Sequence, residues 1–296
     1  MREEYELLDS GDGRKFERFG AFSLVRPAAQ AMWRPKNPSS WSAASASFDR
    51  EDGMRWRGRS SLPNEWTIET AGIRFRLSGT DFGHLGIFPE QRDDWIWIRE
   101  SVASAGRDIS VLNLFAYSGG ATMAALQAGA SVCHLDASKG MVEWARRNAE
   151  LNGLSDRPVR WIVDDAHKFL QRELRRGRRY DAVIFDPPSF GRGAKGEMYK
   201  IERDLKTTIE LVRGVLSDNP LFILFSSHTP GLSPVVAGNI VSQAFPEASN
   251  VKAGEMLLEG ASGVMPLPSG VFARATFTSS AAASKGAEST GPRQCT

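Results

Sequence analysis

Hydrophobic residues follow two different periods along the chain, and the change falls near residue 109. Before that point apolar residues alternate with polar ones in short runs, such as residues 21–26, 66–69 and 73–77. This pattern is typical of half-buried strands in an antiparallel layer. Beyond it, continuous apolar runs alternate with segments of helical period. Strands that alternate with helices predict a mostly parallel sheet covered on both faces.

The second pattern predicts seven strands with helices between them. The predicted strands are 111–115, 131–136, 159–163, 181–185, 221–225, 251–257 and 271–277, and the predicted helices are 93–104, 121–128, 139–151, 166–176, 198–216 and 234–245. Residues 266–270 are predicted to form a hairpin connection before the last strand, which is expected to be antiparallel to its neighbours.

These patterns divide the chain into three parts. Residues 1–92 are predicted to form a small β-rich N-terminal domain, which contains an exposed Ser/Ala-rich loop at 39–47. Residues 93–278 are predicted to form the α/β domain. Residues 279–296 are small and polar without apolar periodicity, so we expect a disordered tail.

Composition narrows the class of protein. A hydrophobic fraction of 41% and a charged fraction of 24% are ordinary for a globular protein. No apolar stretch approaches the ~20 residues that cross a membrane, and the N-terminus lacks a secretory signal, so a cytoplasmic protein without a membrane partner is expected. Two cysteines and four histidines without ligand spacing predict neither a disulfide framework nor a metal site.

Chemistry-bearing residues follow successive predicted strands. Gly119 and Gly120 form a turn between the first strand and a helix, where a ligand can approach backbone amides. Asp136 ends the second strand, ~20 residues later, where a carboxylate accepts ribose hydroxyls. Asp165 follows the third strand and is a candidate acceptor for an adenine amine, with Asp164 as a competitor. Helix capping is the simpler explanation for an acid at such a position.

A buried strand then ends in Asp186, Pro187 and Pro188, followed closely by Phe190. Because proline cannot continue a ladder, the two prolines stop the strand and stiffen the chain that follows it. A fixed carboxylate, carbonyls held outward as acceptors and an aromatic ring for stacking suit a flat ring that carries an amine. Since the carboxyl edge of an open α/β sheet binds ligands, these features are expected to share one site.

Together these motifs resemble a Rossmann-like class I S-adenosylmethionine (SAM) methyltransferase. Residues 112–120 and 186–190 are similar to the family of ribosomal RNA large-subunit methyltransferase I, and residues 85–92 resemble its Gly-x-Phe-x-Asp-Gln-Arg signature. The resemblance covers roughly residues 70–280. It implies SAM as cofactor and RNA as the partner, with ribosomal RNA the best guess.

The resemblance also assigns roles to individual residues. The implied cofactor-binding residues are Gln91, Arg92, Phe115, Tyr117, Gly119, Asp136, Ser138 and Asp165. Gln91 and Arg92 would close over the cofactor, the turn at Gly119 would receive its methionine end, Asp136 the ribose and Asp165 the adenine. Asp186, Pro187 and Phe190 would act on the target base. An interdomain salt bridge is the alternative for Arg92.

The chain departs from the family pattern in two places. Pro89 and Glu90 stand where the family has an aliphatic residue and Asp. Residues 226–228 read Ser-Ser-His where cytosine-C5 enzymes often carry a cysteine, and a C5 mechanism generally needs a thiolate. Cys133 is expected to be a core thiol and Cys295 lies in the tail, so nitrogen is favoured over C5. His228 is expected to be a polar surface residue, with proton acceptance as the alternative.

The sequence therefore predicts a SAM-dependent methyltransferase acting on a base in RNA. A basic, glycine-rich loop at 190–196 is expected to contact the RNA backbone. Methylation of a protein side-chain amide or a small molecule, or a catalytically silent RNA-binding module, are the alternatives. The sequence leaves open the target nucleotide and atom, the capture of RNA without an accessory domain, and the oligomeric state.

Overall fold

The N-terminal part is built on a five-stranded sheet. The computed structural model describes residues 3–50, 53–192, 196 and 198–278. The strands lie in chain order: β1 (Tyr5–Gly11), β2 (Arg14–Phe19), β3 (Phe22–Pro27), β4 (Ala46–Asp49) and β5 (Arg55–Arg57). All neighbours are antiparallel except β3 and β4. The expected exposed loop at 39–47 is wrong in part, because Pro38–Ala43 form a 3₁₀ helix and β4 starts at Ala46.

A hairpin connects this sheet to the rest of the molecule. Strands β6 (Trp66–Thr70) and β7 (Ile73–Leu77) are joined by Ala71 and Gly72, with φ of 51° and 72°. Positive φ at both residues is the geometry of a tight two-residue hairpin turn. Alternate residues of β7 are buried, as the period-two pattern predicts.

The second part contains a seven-stranded sheet of order β10-β9-β8-β11-β14-β16-β15. Its strands are β8 (Ser110–Leu114), β9 (Ser131–Asp136), β10 (Val159–Val163), β11 (Ala182–Phe185), β14 (Phe222–Ser227), β15 (Asn250–Leu258) and β16 (Leu267–Thr276). The first five are parallel, and β16 is antiparallel to both β14 and β15. The predicted mostly parallel seven-stranded sheet, preceded by a β-rich part, is confirmed. The division at residue 92 stays a prediction, and 279–296 lie outside the described residues.

Helices cover both faces of this sheet. They are α1 (Arg92–Ala103), α2 (Gly120–Gln127), α3 (Lys139–Leu151), α4 (Ala166–Arg175), α5 (Ile201–Gly214) and α6 (Pro234–Ala244). Adjacent residues of one strand serve opposite faces: Val111 packs with α1 and α2, and Leu112 packs with α4 to α6. Burial on both faces explains why these strands read as continuous apolar runs. In the described ranges no helix combines the length and apolarity of a membrane span.

Two connections differ from the sequence prediction. Residues 266–270 are not a hairpin connection, because β16 already starts at Leu267 and continues to Thr276. Within the predicted basic loop, β12 (Phe190–Arg192) pairs with β13 (Met198–Lys200) as an antiparallel hairpin. Both segments are rich in Gly, Pro or Ser. Sequence patterns assign such residues to turns, even where pairing with a neighbouring strand makes the segment part of a sheet.

Close packing between helices depends on Gly120, the first residue of α2. A Cβ atom at this position would lie 2.6 Å from the ring of Trp95 on α1. Trp95 is only 2% exposed and packs against Phe75, with ring centroids 5.0 Å apart, so it has little room to move. The absence of a side chain at Gly120 therefore sets the distance between α1 and α2.

We expect Gly120→Ala to lower the free energy of unfolding by about 1–3 kcal/mol, the usual cost of overpacking a core. Urea denaturation measures this change. Gly140→Ala is the matched control, because its Cβ would meet only Ser138 Oγ at 3.8 Å in the first turn of α3. The control is expected to be neutral or stabilising by up to ~1 kcal/mol. Equal stability of both variants would contradict the packing argument.

Candidate active site

The candidate site is a cleft of about 1130 Å³ at the carboxyl ends of the parallel strands. Residues that follow five strands line it, namely Phe115 and Tyr117 after β8, Asp136 at the end of β9, Asp164 and Asp165 after β10, Asp186, Pro187 and Pro188 after β11, and His228 after β14. Strands β2 and β3 of the N-terminal sheet form the facing wall. The chain crosses between the two sides of the sheet at β8 and β11, which is where open α/β sheets bind ligands.

The turn after β8 is held in an unusual conformation. Phe115 and Tyr117 have φ of 56° and 50°, and Gly119 has φ of 90°. Left-handed backbone is uncommon for bulky residues, so the surroundings must stabilise it. Gly119 is the N-cap of α2 and has no side chain to cap the helix, so the first amides of α2 are open to an anionic ligand group.

Asp136 stabilises the turn after β8 by accepting two backbone hydrogen bonds. Its Oδ2 accepts a hydrogen bond from the Tyr117 amide at 2.9 Å, and its Oδ1 accepts one from the Ser138 amide at 2.8 Å. Burial raises the pKa of Asp136 despite these two donors. Each carboxylate oxygen keeps a further lone pair for a ligand hydroxyl. The Ser138 side chain accepts from the Met141 amide, as the N-cap of α3.

The acids after β10 both have structural partners. Asp165 Oδ1 accepts from the Lys168 amide at 2.9 Å and caps α4, which is the alternative that the sequence suggested. Asp164 accepts from the Asp165 amide and pairs with Arg172. Both acids still line the cleft, so capping and ligand binding are compatible here.

Residues 85–92 join the cleft to the glycine turn. Ser118 Oγ donates to the Gly86 carbonyl at 2.6 Å, and Gln91 Nε2 donates to Asp186 Oδ2 at 2.7 Å. Arg92, in contrast, does not line the cleft; its guanidinium lies 3.3 Å from Glu3 and 3.0 Å from Asp93. Arg92 thus forms salt bridges, the kind of contact that was the alternative to cofactor binding, and its predicted cofactor contact stays a prediction.

The part of the cleft around Asp186 holds a cluster of charged side chains that the sequence did not reveal. His228, expected at the surface, lies with Nε2 3.3 Å from Glu90 and Nδ1 3.5 Å from Asp186, and its ring packs against Phe88. Burial disfavours its charge, but Asp186 and Glu90 raise its pKa to about 10. Phe190 is 55% exposed and does not line the cleft, so its predicted stacking stays a prediction.

Comparison with known proteins identifies the architecture. The family model of S-adenosylmethionine-dependent methyltransferases matches residues 46–218. The chain belongs to this family. A crystal structure of a SAM-dependent methyltransferase from Agrobacterium tumefaciens is 37% identical, with a TM-score of 0.88, and the alignment covers 94% of this chain and 91% of that one.

Curated relatives of this methyltransferase are longer proteins. Ribosomal RNA large subunit methyltransferase K from Neisseria meningitidis is 29% identical over 67% of this chain and 54% of its own length. Ribosomal RNA large subunit methyltransferase I from Aeromonas salmonicida is 30% identical over 54% of this chain and 39% of its own. The chain thus spans about half or less of the length of these relatives.

The cleft fits the family's cofactor. At Gly119 a Cβ would lie 3.1 Å from Ala145 and 3.2 Å from Met123, so the turn keeps its open cradle only with glycine. We expect the amides at Gly119 to hold the carboxylate end of SAM, Asp136 the ribose, and Asp165 or Asp164 the adenine. When bound, SAM supplies a methyl group already activated as a sulfonium. Among the described residues no group of acids, histidines and cysteines is arranged to bind a metal.

A pair of substitutions separates the two roles of Asp165. Asp165→Ser keeps a good N-cap but shortens the acceptor, so we expect weaker SAM binding, by about tenfold (~1.4 kcal/mol), with unchanged stability. Asp165→Ala should lose the same affinity and also about 1 kcal/mol of stability. Calorimetric titration and urea denaturation measure the two effects. Asp156→Ala, at an exposed acid in the turn before β10, is the control. Full SAM affinity in Asp165→Ser would leave capping as the residue's role.

Proposed function

We propose that this methyltransferase modifies a nitrogen of a base in RNA, and specifically in ribosomal RNA. One observation carries the proposal: Asp186 lines both the cleft that contains Asp136 and Pro187 and the small adjoining cavity that Gly119 lines. A group that is hydrogen-bonded to Asp186 would therefore lie in the same cleft as the activated methyl group. The relatives that act on ribosomal RNA by name, methyltransferases K and I, support an RNA substrate.

Asp186 and Pro187 have the chemistry that a nitrogen nucleophile needs. A carboxylate and a backbone carbonyl accept the two hydrogens of an exocyclic amine, which directs the lone pair of its nitrogen toward the methyl group. Gln91 restricts the carboxylate by donating to Oδ2. Little further acid–base chemistry is required, because the methyl group arrives activated and the product nitrogen loses its proton readily.

Cysteine chemistry supports nitrogen over C5. Cys133, the only cysteine in the described ranges, is 2% exposed on β9 and does not line the cleft. Burial raises the pKa of its thiol to about 11, which keeps it protonated near neutrality. The thiolate is the nucleophile in C5 methylation, and Cys133 does not supply one. Cys295 lies outside the described residues.

The N-terminal sheet supplies positive charge at the opposite wall. Arg14, Lys15, Arg26 and Arg50 line the cleft together with the exposed ring of Phe82. Lys15 and Arg26 also pair with the buried Glu17, at 3.1 and 2.8 Å, which fixes their orientation. A basic wall with an aromatic ring suits a single-stranded nucleic acid, and such a substrate would place the enzyme in the cytoplasm.

The test is transfer of labelled methyl groups from SAM to RNA of a strain that lacks the protein. We expect label in ribosomal RNA as an N-methylated nucleoside, identified by mass spectrometry. Asp186→Asn should lower kcat by about 10²-fold or more, with SAM binding retained. Asp156→Asn is the matched control. Label in protein or in small molecules instead would favour the alternative substrates, and a C5-methylated base would refute the nitrogen mechanism.

A further inference from the structure

The two departures from the family pattern meet in space. Glu90 stands where the family has Asp, and His228 follows the strand where C5 enzymes often carry cysteine; Nε2 of the His228 ring lies 3.3 Å from Glu90 Oε1. The two positions, 138 residues apart in sequence, are thus in contact. This contact points to a joint role near Asp186.

The ring of His228 has a carboxylate on each side. Nε2 faces Glu90 and Nδ1 faces Asp186 at 3.5 Å, and both distances are those of ion pairs rather than of short hydrogen bonds. A neutral imidazole carries a proton on only one nitrogen, so its other lone pair would face a carboxylate. Only the imidazolium presents a donor to both sides. The geometry therefore favours a positive charge on His228.

The other groups around His228 are consistent with its pairing with Glu90 and Asp186. Glu90 is buried in the short 3₁₀ helix Pro89–Gln91, and although burial opposes its ionisation, His228 and the more distant Lys15 lower its pKa to about 2. The other titratable groups near the cluster are His84, whose pKa burial lowers, and Asp94. Asp94 is held by Arg274 at 2.6 Å and is not a competing partner for the ring.

In the part of the chain that the structure describes, the two side-chain contacts with the Asp186 carboxylate fall on the same oxygen. Gln91 Nε2 donates to Oδ2 at 2.7 Å, and His228 Nδ1 lies 3.5 Å from that oxygen. Among the described residues no side chain donates to Oδ1. We propose that His228 is a positioning residue, held as an imidazolium between Glu90 and Asp186, which together with Gln91 anchors Oδ2 and reserves Oδ1 for the substrate amine. The inference rests on the proposed function, because it names the oxygen that the base would meet.

A charged His228 cannot act as a general base, since it has no lone pair to accept a proton. Its contribution to stability has a defined sign. A folded-state pKa above the ordinary value means that the stabilising effect is full below about pH 6.5 and is lost as the pH rises toward 10. Relative to His228→Gln, the wild-type chain should lose stability over this range.

The charge is tested without substrate. Nuclear magnetic resonance of the full chain labelled in its four histidines gives the protonation state of each ring, and the signal missing in His228→Gln identifies this one. We expect an imidazolium at pH 8. In Glu90→Gln the ring should titrate at a lower pH. A neutral ring at pH 8 in the wild-type chain would overturn the proposal, whatever the substrate is.

Kinetics test the positioning. We expect His228→Gln to lower kcat on RNA by about 10²-fold, since a small misplacement of an acceptor costs that much, with SAM affinity changed less than about twofold. Glu90→Gln should lower kcat less and should move the alkaline limb of its pH profile to lower pH, which a purely structural role would not do. His167→Gln is the matched control; this half-buried histidine hydrogen-bonds Thr208 outside the cleft.

The outcomes separate the two proposals. If Asp186→Asn is inactive while His228→Gln keeps full kcat, the positioning role is wrong and the proposed function stands. If the wild-type chain methylates no RNA, the proposed function fails, and the resonance and stability measurements still decide the charge of His228. Should His228→Gln not fold, the ring titration and pH profile of Glu90→Gln decide the same question.

Discussion

The hydrogen bonds that the Asp136 carboxylate accepts from the backbone amides of Tyr117 and Ser138 are the constraint on which the site depends. They tie the turn after β8 to the end of β9 and hold Tyr117 in a backbone region that bulky residues avoid. The same turn also contacts other segments. The Ser118 hydroxyl donates to the Gly86 carbonyl, and the Ser118 carbonyl accepts a hydrogen bond from the Asn148 side chain on α3. Asn148 in turn accepts from the Arg76 amide of the β6–β7 hairpin. The Asp136 carboxylate thus fixes the turn at residues 115–119, to which the N-terminal part of the chain is attached.

That attachment explains how distant segments build one cleft. Gly86 has φ of 89°, and a Cβ there would lie 2.3 Å from the ring of Trp144, so residues 85–91 pass close over α3 before reaching Asp186. Trp144 completes the contact by donating to the Arg76 carbonyl at 2.9 Å. Because these contacts join backbone to side chain on both parts, the wall formed by β2 and β3 is held opposite the strand ends. The position of Glu90 beside His228 and Asp186 depends on this alignment.

The sequence predicted what is encoded locally. Helix α3 and strands β9 and β10 have the predicted bounds, because apolar period and N-cap residues are properties of short segments. Gly119, Asp136 and Asp186 were predicted to share an edge, because parallel strands bring their carboxyl ends together. The partners of His228 and Arg92 were not predictable, since they depend on where residues 90 and 3 lie in space. The bounds of β4 and β16 likewise depend on pairing with neighbouring strands. This pairing outweighs the Ser- and Pro-rich composition that made both segments look like loops.

The charges around Asp186 help to decide between a nitrogen and a carbon nucleophile in the substrate. Glu90 and Asp186 bring two negative charges and the His228 ring one positive charge, so this cluster carries one net negative charge. A nitrogen becomes positive as it accepts a methyl group, and a nearby negative charge stabilises that change. A C5 mechanism instead builds electron density on the pyrimidine ring after a thiolate adds, and the same charge opposes it. Cys133 lies three residues below Asp136, about 10 Å down β9 from the cleft edge, so it supplies no thiolate there. The net negative charge beside Asp186 and the distance of Cys133 from the cleft are thus two separate observations that support the proposed nitrogen target.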